Sequence, residues 1–451
     1  MDIKRFFTDH DSSITGTSTL DPLGLRVIWQ GLGQQIFHNM VSSIANDVRN
    51  YTLSLFLHSV VKEVSNRCDF HSQKQKEYWG TPNSLEFKQR LFILLENLYI
   101  RSFVSHKEDN QLEVSTTGVL GIRKGVELSA TPAKIGKTMR LAKQKSEILT
   151  NQLSLGVLGR YKTPLVNMGF LDGSLSYYDQ GKWSGFEAML GENPKLRTLQ
   201  DALVMLVEQL LRTGDAEPEY DWSDPGTANL LVLFGESFKN PETVGSYAAD
   251  FWLELTKLNQ GVAGFVYANL DKESPQQAYL AAYQQIKLDA GQSLESISQL
   301  AVILDTEPFL AEMDLLFRSL CAQGIASLRC VIDHMQALGR SPQTFAECAN
   351  KIQMNAVPVG SGKDRLEMLK RVVIDKAAWD TLIRALHSYH VNIMEDRGLS
   401  PWLHIAQDNR LHRHVGLYDL PTPMQPPGHY WWHSYYYYDL KNMARGLQGG
   451  Q

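Results

Sequence analysis

Three stretches of the chain place reactive side chains at spacings that chemistry uses. The first is Val359-Gly-Ser-Gly-Lys363-Asp364. A phosphate-binding loop wraps its anion in the backbone amides of a glycine-rich turn, adds a lysine, and holds magnesium with a Ser or Thr hydroxyl. Here Val357 stands where the first glycine belongs, and Asp364 brings a repelling charge where the hydroxyl should be. No strand pattern precedes the loop. The expected structure is a turn that caps the following helix.

Histidine supplies the second candidate. Seven of the 13 histidines lie after residue 386: His387, His390, His404, His412, His414, His429 and His433. His387 and His390 share a helical face at i, i+3 and could chelate a metal, but zinc asks for three or four ligands in tight geometry. No HExxH motif completes the set, and Cys68, Cys321, Cys330 and Cys348 form no CxxC pair. Hydrogen-bonded and surface histidines are the plain expectation. A metal-dependent hydrolase using these histidines, with Glu395, Asp396, Asp408 or Asp419 as partner carboxylate, is the alternative from another functional class. The irregular cysteines read as buried thiols in a reducing compartment.

Charge is the third candidate. The formal net charge is -5, which argues against a general polyanion binder. Yet residues 122–145 hold Arg123, Lys124, Lys134, Lys137, Arg140, Lys143 and Lys145 against the single acid Glu127. On a helix, Lys134, Lys137 and Arg140 form an i, i+3, i+6 row, a face that could neutralise phosphates and bind nucleic acid in a salt-dependent way. A solvated face is the competing account. No GxSxG, GxGxxG or Cys–His nucleophile pattern occurs. Asp250, Glu254 and Lys257 have the spacing of routine helix-surface pairs. A non-enzymatic protein without a cofactor is therefore expected.

The elements that would position these groups are mostly helices. Leu25, Ile28, Trp29, Leu32 and Ile36 repeat at 3, 4, 3 and 4, one face of an amphipathic helix opened by Asp21-Pro22. A second helix is expected from Ile44, apolar on more than one face in its later half and so sheathed by neighbours. The two are read as a buried hairpin. Asn83 with Glu86 signals the next helix start. Thr131-Pro132 opens a helix to about residue 150, a short helix follows, and SYYDQGKWSGF suits a β-hairpin. That order resembles a winged helix-turn-helix. After an acidic, Pro-bearing linker, nearly every segment from Gly226 to about Arg397 reads as helix.

The expected architecture is thus mainly α, a multi-helix two-domain protein with a small β element and a winged-helix-like region in its N-terminal half. Its segments would be 1–192, 193–397 and a Pro- and aromatic-rich docking tail at 398–451. Tyr430, Trp431, Trp432 and Tyr435, Tyr436, Tyr437 and Tyr438 put seven aromatics into nine positions. That much ring surface must dock, one set on the protein's own core and the other on a partner. The first residues lack an apolar leader and no apolar run reaches membrane-spanning length, so a cytoplasmic location is expected.

The pattern from Asp21-Pro-Leu-Gly-Leu25 through Ser43-Ile-Ala-Asn-Asp-Val-Arg-Asn-Tyr51 to Gly159-Arg-Tyr-Lys-Thr-Pro164 resembles accessory proteins of bacterial defence operons. The resemblance covers residues 20–190 and points to the non-catalytic subunit of Lamassu-type systems. It carries no site residues. It implies a subunit working beside an SMC-family ATPase and a nuclease in anti-phage or anti-plasmid defence, bridging the partners and contacting double-stranded DNA. A stand-alone winged-helix regulator is the third alternative.

Overall fold

Helix starts in this chain are written in short polar side chains that accept hydrogen bonds from otherwise orphaned amides. Asp47 accepts from Arg49 N at 2.8 Å, and Asn240 accepts from Thr243 N at 2.6 Å with Pro241 in the first helical position. Ser274-Pro275 and Ser341-Pro342 repeat the device, the second with a reciprocal bond from Ser341 N to Thr344 Oγ1. The computed structural model describes residues 21–449 except 69–72, 110–111, 130–137, 141–147, 178, 213–218, 222–224 and 415–417.

The first helices are α1 (Leu25–Phe37), α2 (Val48–Arg67), α3 (Gln73–Trp79), α4 (Leu85–Asp109) and α5 (Ile122–Ser129). Strand β1 (Thr138–Arg140) precedes α6 (Gln152–Leu155), α7 (Val157–Asn167), α8 (Gln180–Glu192) and α9 (Pro194–Arg212). After β2 (Glu219–Asp221) come α10 (Pro225–Ser237), α11 (Pro241–Thr256), α12 (Gly261–Tyr267) and α13 (Pro275–Leu288). The long α14 (Leu294–Leu320) leads to α15 (Leu328–Ala337), α16 (Pro342–Lys351), α17 (Ser361–Val373) and α18 (Trp379–Asp396). Strands β3 (Leu403–Ile405) and β4 (Leu411–Arg413) and helix α19 (Tyr437–Leu447) complete the chain. The protein is mainly α. Its sheets, among the described residues, are two antiparallel pairs, β1 with β2 and β3 with β4.

Two compact units divide the chain: residues up to Ile36 with Asp271–Tyr435, and Phe37–Leu270 with Tyr436–Gln451. They cut across the expected segments 1–192, 193–397 and 398–451. Packing rather than sequence order decides the matter. The stripe of α1 is buried as expected, with Leu25, Ile28, Leu32 and Ile36 at 2% exposure or less. But α1 belongs with the helices after Asp271: Tyr389 donates to Leu23 O at 2.9 Å, and His390 meets Pro22 O at 2.8 Å. Helix α2 belongs to the other unit.

The first unit is built along α14, which contains Pro308 and whose C-terminal half is buried from Phe309 to Phe317 with few breaks. In the second unit 16 of the 20 residues of α2 are buried, so other helices sheath it on all sides. Trp252 on α11 donates to Thr52 Oγ1 at 2.7 Å, and the Tyr51 ring lies 4.8 Å from Tyr161 and 5.2 Å from Trp252. Helices α11 and α19 approach so closely that a Cβ on Gly245 would sit 1.8 Å from Gly446 O. Only glycine fits there.

Local expectations fail where a cap was misread. Helix α2 starts at Val48, because Asp47 takes the cap and Ile44 stays 49% exposed. Ser84, not Asn83, opens α4 by accepting from Phe87 N at 3.2 Å. The expected hairpin in SYYDQGKWSGF is instead the start of α8: Asp179 caps it, and Trp183, Phe186, Met189 and Leu190 are its buried face. An isolated Leu171–Tyr177 bridge is the extended pairing next to it. With that wing replaced by a helix, the winged-helix-like expectation for this region does not hold.

Candidate functional site

Helix α14 interrupts its apolar run with carboxylates at Asp305, Glu307, Glu312 and Asp314, and two of them hold the tail. Glu307 is fully buried and accepts four hydrogen bonds. Its Oε1 takes Trp432 N at 2.6 Å and His433 N at 2.7 Å. Its Oε2 takes Trp29 Nε1 at 2.8 Å and the Tyr435 hydroxyl at 2.7 Å. Burial pushes its carboxyl up to about 7 against the pull of these donors. The Trp29 ring stacks on His433 with centroids 4.6 Å apart, and burial holds the imidazole down at about 4.

Five residues further along α14, about 7.5 Å of rise, Glu312 forms a buried pair with Arg340 at 3.2 Å. Arg340 also donates to Gln425 O at 3.0 Å, and Gly428 N donates to Glu312 Oε1 at 3.0 Å. The tail therefore runs antiparallel to α14, pinned near Gly428 by one glutamate and near Trp432 by the other. Each pin is a carboxylate with backbone amides. Such an arrangement orders a chain segment, and it leaves neither carboxylate oxygen pair open to a substrate.

The aromatic run divides accordingly. Tyr430, Tyr435, Tyr436 and Tyr437 are buried, while Trp432 at 51% and Tyr438 at 53% remain exposed. Trp431 is half-buried and donates to His433 O at 2.6 Å. So four of the seven rings close over the chain's own interior, as expected for one set of them. Tyr435 and Tyr436, both at positive φ, turn the chain out of the tail and into α19. Trp432 keeps its ring outward, with the Arg318 guanidinium 4.4 Å from its centroid and a second ring, Tyr418, at 5.6 Å from the same guanidinium. Asp314, 3.9 Å from Arg318, keeps Oδ2 buried without a hydrogen-bond partner, and burial raises its carboxyl to about 7.

The other sequence candidates fall as follows. Arg123 and Lys124 are exposed on α5, where Lys124 pairs with Glu127 at 2.9 Å. Arg140 lies on β1, opposite Glu219, so it is on a strand and not on the expected helical row. Lys134, Lys137, Lys143 and Lys145 lie outside the described residues. The glycine-rich Val359–Asp364 segment is the start of α17, with Gly360 as its cap residue. His390 has both ring nitrogens engaged, Nδ1 with Pro22 O at 2.8 Å and Nε2 with Trp402 N at 2.9 Å, which fixes a neutral tautomer. His387 Nε2 faces Leu403 O at 3.0 Å. A metal on His390 would have to displace one of that ring's two backbone contacts. No group of three or more His, Cys, Asp or Glu side chains has metal-holding geometry among the described residues. Nor, among them, is any helix long and apolar enough to cross a membrane.

Comparison with known proteins gives no match to a family model, to a curated protein or to a solved structure. Glu307 and Glu312 escape a reading of local motifs because their donors lie far along the chain. Their signal was present all the same: lone carboxylates inside a run too apolar to leave them in water.

Proposed function

We propose that this chain is a non-enzymatic bridging and DNA-contacting subunit of a bacterial anti-phage or anti-plasmid defence complex, beside an SMC-family ATPase and a nuclease. The observation that carries this reading is how the interior polar groups are used. Glu307, Glu312 and His390, the groups best buried for catalysis, all bind backbone and hold chain segments in place. The surface then offers Trp432 over Arg318, Tyr438, and the exposed bases Arg123 and Lys124. An aromatic ring with a neighbouring guanidinium is the composition of interface anchors, and clustered bases suit phosphates.

Two measurements test it. Co-expression with the ATPase and nuclease subunits should yield one co-purifying complex; separate elution of the three removes the bridging role. Charge reversal of Lys134, Lys137 and Arg140 to Glu should flatten the salt dependence of DNA binding by the complex, by up to about three in the log–log slope. An unchanged slope and affinity remove that segment as the contact.

A further inference from the structure

The N-terminal half of α14 carries a second feature that the tail does not use. Leu294, Ile297 and Ala301 follow one another at helical spacing and lead to Asp305, so a single face of the helix runs from apolar to acidic. This face borders a cleft of ≈ 290 Å³ that Gln353 and Asn355 also line. Leu294, at one end of this face, is 86% exposed, an aliphatic side chain left in water. At the other end Asp305 is half-buried, and burial raises its carboxyl while Lys351 acts against that. Asp305 makes no ion pair within 4 Å among the described residues, although it lies where a charge is costly.

Shape and charge together select an occupant. From Leu294 to Asp305 the helix rises about 16 Å, and a cleft spread along that length with Leu294 left 86% exposed does not enclose a small molecule as ligand pockets do. Gln353 and Asn355 on the lining are exposed and carry amides able to pair with the backbone groups an extended chain leaves free. We propose that this cleft docks an extended segment of a partner protein that presents apolar residues and then a lysine or arginine on one face. The apolar residues cover Leu294 and Ile297, the aliphatic stem of the basic residue lies over Ala301, and its charged head reaches Asp305. Alternate residues of an extended chain share a face at about 6.6 Å spacing. Two apolar residues and a lysine at i, i+2 and i+4 therefore span about 13 Å, and the lysine stem supplies the remainder.

The experiment uses the full chain and a fluorescein-labelled peptide of sequence GSLSLSKSG, followed by fluorescence polarisation. Saturable binding is expected, weakened about fivefold when the peptide lysine is replaced by norleucine, the size of one partly exposed ion pair. Asp305→Asn should reproduce that loss with the original peptide and show no further loss with the norleucine peptide. Ala301→Trp, which fills the cleft, should abolish binding. Equal affinity for the lysine and norleucine peptides overturns the proposal, and that comparison leaves the protein untouched. Binding that survives Ala301→Trp, or no saturation up to about 1 mM peptide, overturns it as well.

Discussion

Glu307 and Glu96 are both fully buried glutamates, both pushed up to about 7 by burial, yet they organise the chain on different scales. Glu96 on α4 accepts from Gln152 Nε2 at 2.9 Å and from Val157 N at 2.6 Å, so it orders one turn and opens α7. A carboxylate beside the first amides of a helix is favourable by charge as well. Glu307 gathers an indole 278 residues away in sequence, two consecutive amides of the tail and a tyrosine hydroxyl. The first caps one helix, with donors 56 and 61 positions away. The second closes a unit made from residues before Phe37 and residues after Leu270. The lesson is that burial and charge alone do not rank such groups; the sequence separation of their donors does.

The most severe way to break the comparison is to remove each carboxylate. Glu307→Ala leaves four donors without an acceptor in a dry site, and a loss of about 4 to 6 kcal/mol is expected at neutral pH. Glu96→Ala strands two donors and should cost about 2 to 3 kcal/mol. Chemical denaturation of both variants checks the order. Equal losses would mean that the two sites hold the chain to the same extent.

Trp29→Ala attacks Glu307 from its most distant donor. The ring is 6% exposed and stacked on His433, so its removal should cost about 3 to 5 kcal/mol through an uncollapsed cavity and a lost donor. Trp29→Phe should cost about 1 to 2 kcal/mol, the share belonging to the indole N–H. If the alanine variant melts like the parent, the tail is not held from this side.

Much of this was legible in the residues, and some was not. The stripe Leu25 to Ile36 and the all-round burial of α2 follow from spacing alone, as does the mainly α fold. That α1 joins helices after Asp271 does not, since an apolar stripe names its face and not its neighbour. SYYDQGKWSGF was misread because glycine-bounded aromatics suit a turn, while Asp179 accepting from the amide of Lys182 makes the same residues a helix start. The row Lys134, Lys137, Arg140 assumed a helical period, and Arg140 on a strand breaks it. That the aromatic run must in part cover the chain's own interior follows from its ring content. Which rings it hides depends on Glu307, whose partners no local pattern reveals.

A pH titration of stability sharpens the comparison further. Glu307 and Glu96 have folded values near 7 against an ordinary 4.5. A folded state that holds protons the unfolded chain has released is stabilised below pH 4.5 and loses that contribution as pH rises through 7. His433, held down at about 4 from 6.5, works in the opposite sense: its contribution is present above 6.5 and is lost as pH falls through 4. In the wild type the two trends oppose each other between 4.5 and 6.5. Glu307→Gln should therefore be less stable than the parent by a margin that shrinks between pH 4.5 and 7, by up to roughly 3 kcal/mol. Glu96→Gln should show the same shape. A margin that stays constant across this window would mean that the carboxyl is not raised.

The smallest expected effect on stability comes from the ring that the tail leaves outside. Trp432 sends its backbone amide to Glu307 and its side chain to the surface, where Arg318 lies 4.4 Å from the ring centroid. Trp432→Ala keeps the amide, so the Glu307 clasp survives. What is lost is a partly exposed cation–π contact, about 0.5 to 1 kcal/mol. Tyr435→Phe, which removes a buried donor to Glu307, should cost more, about 1 to 2 kcal/mol, although only a hydroxyl is deleted. The functional order should be the reverse. If Trp432 is the anchor for a partner, its alanine variant melts close to the parent and no longer co-purifies with the ATPase or nuclease subunit, whereas Tyr435→Phe still assembles. A Trp432→Ala protein that melts several degrees lower and still assembles would place Trp432 among the rings that close the fold.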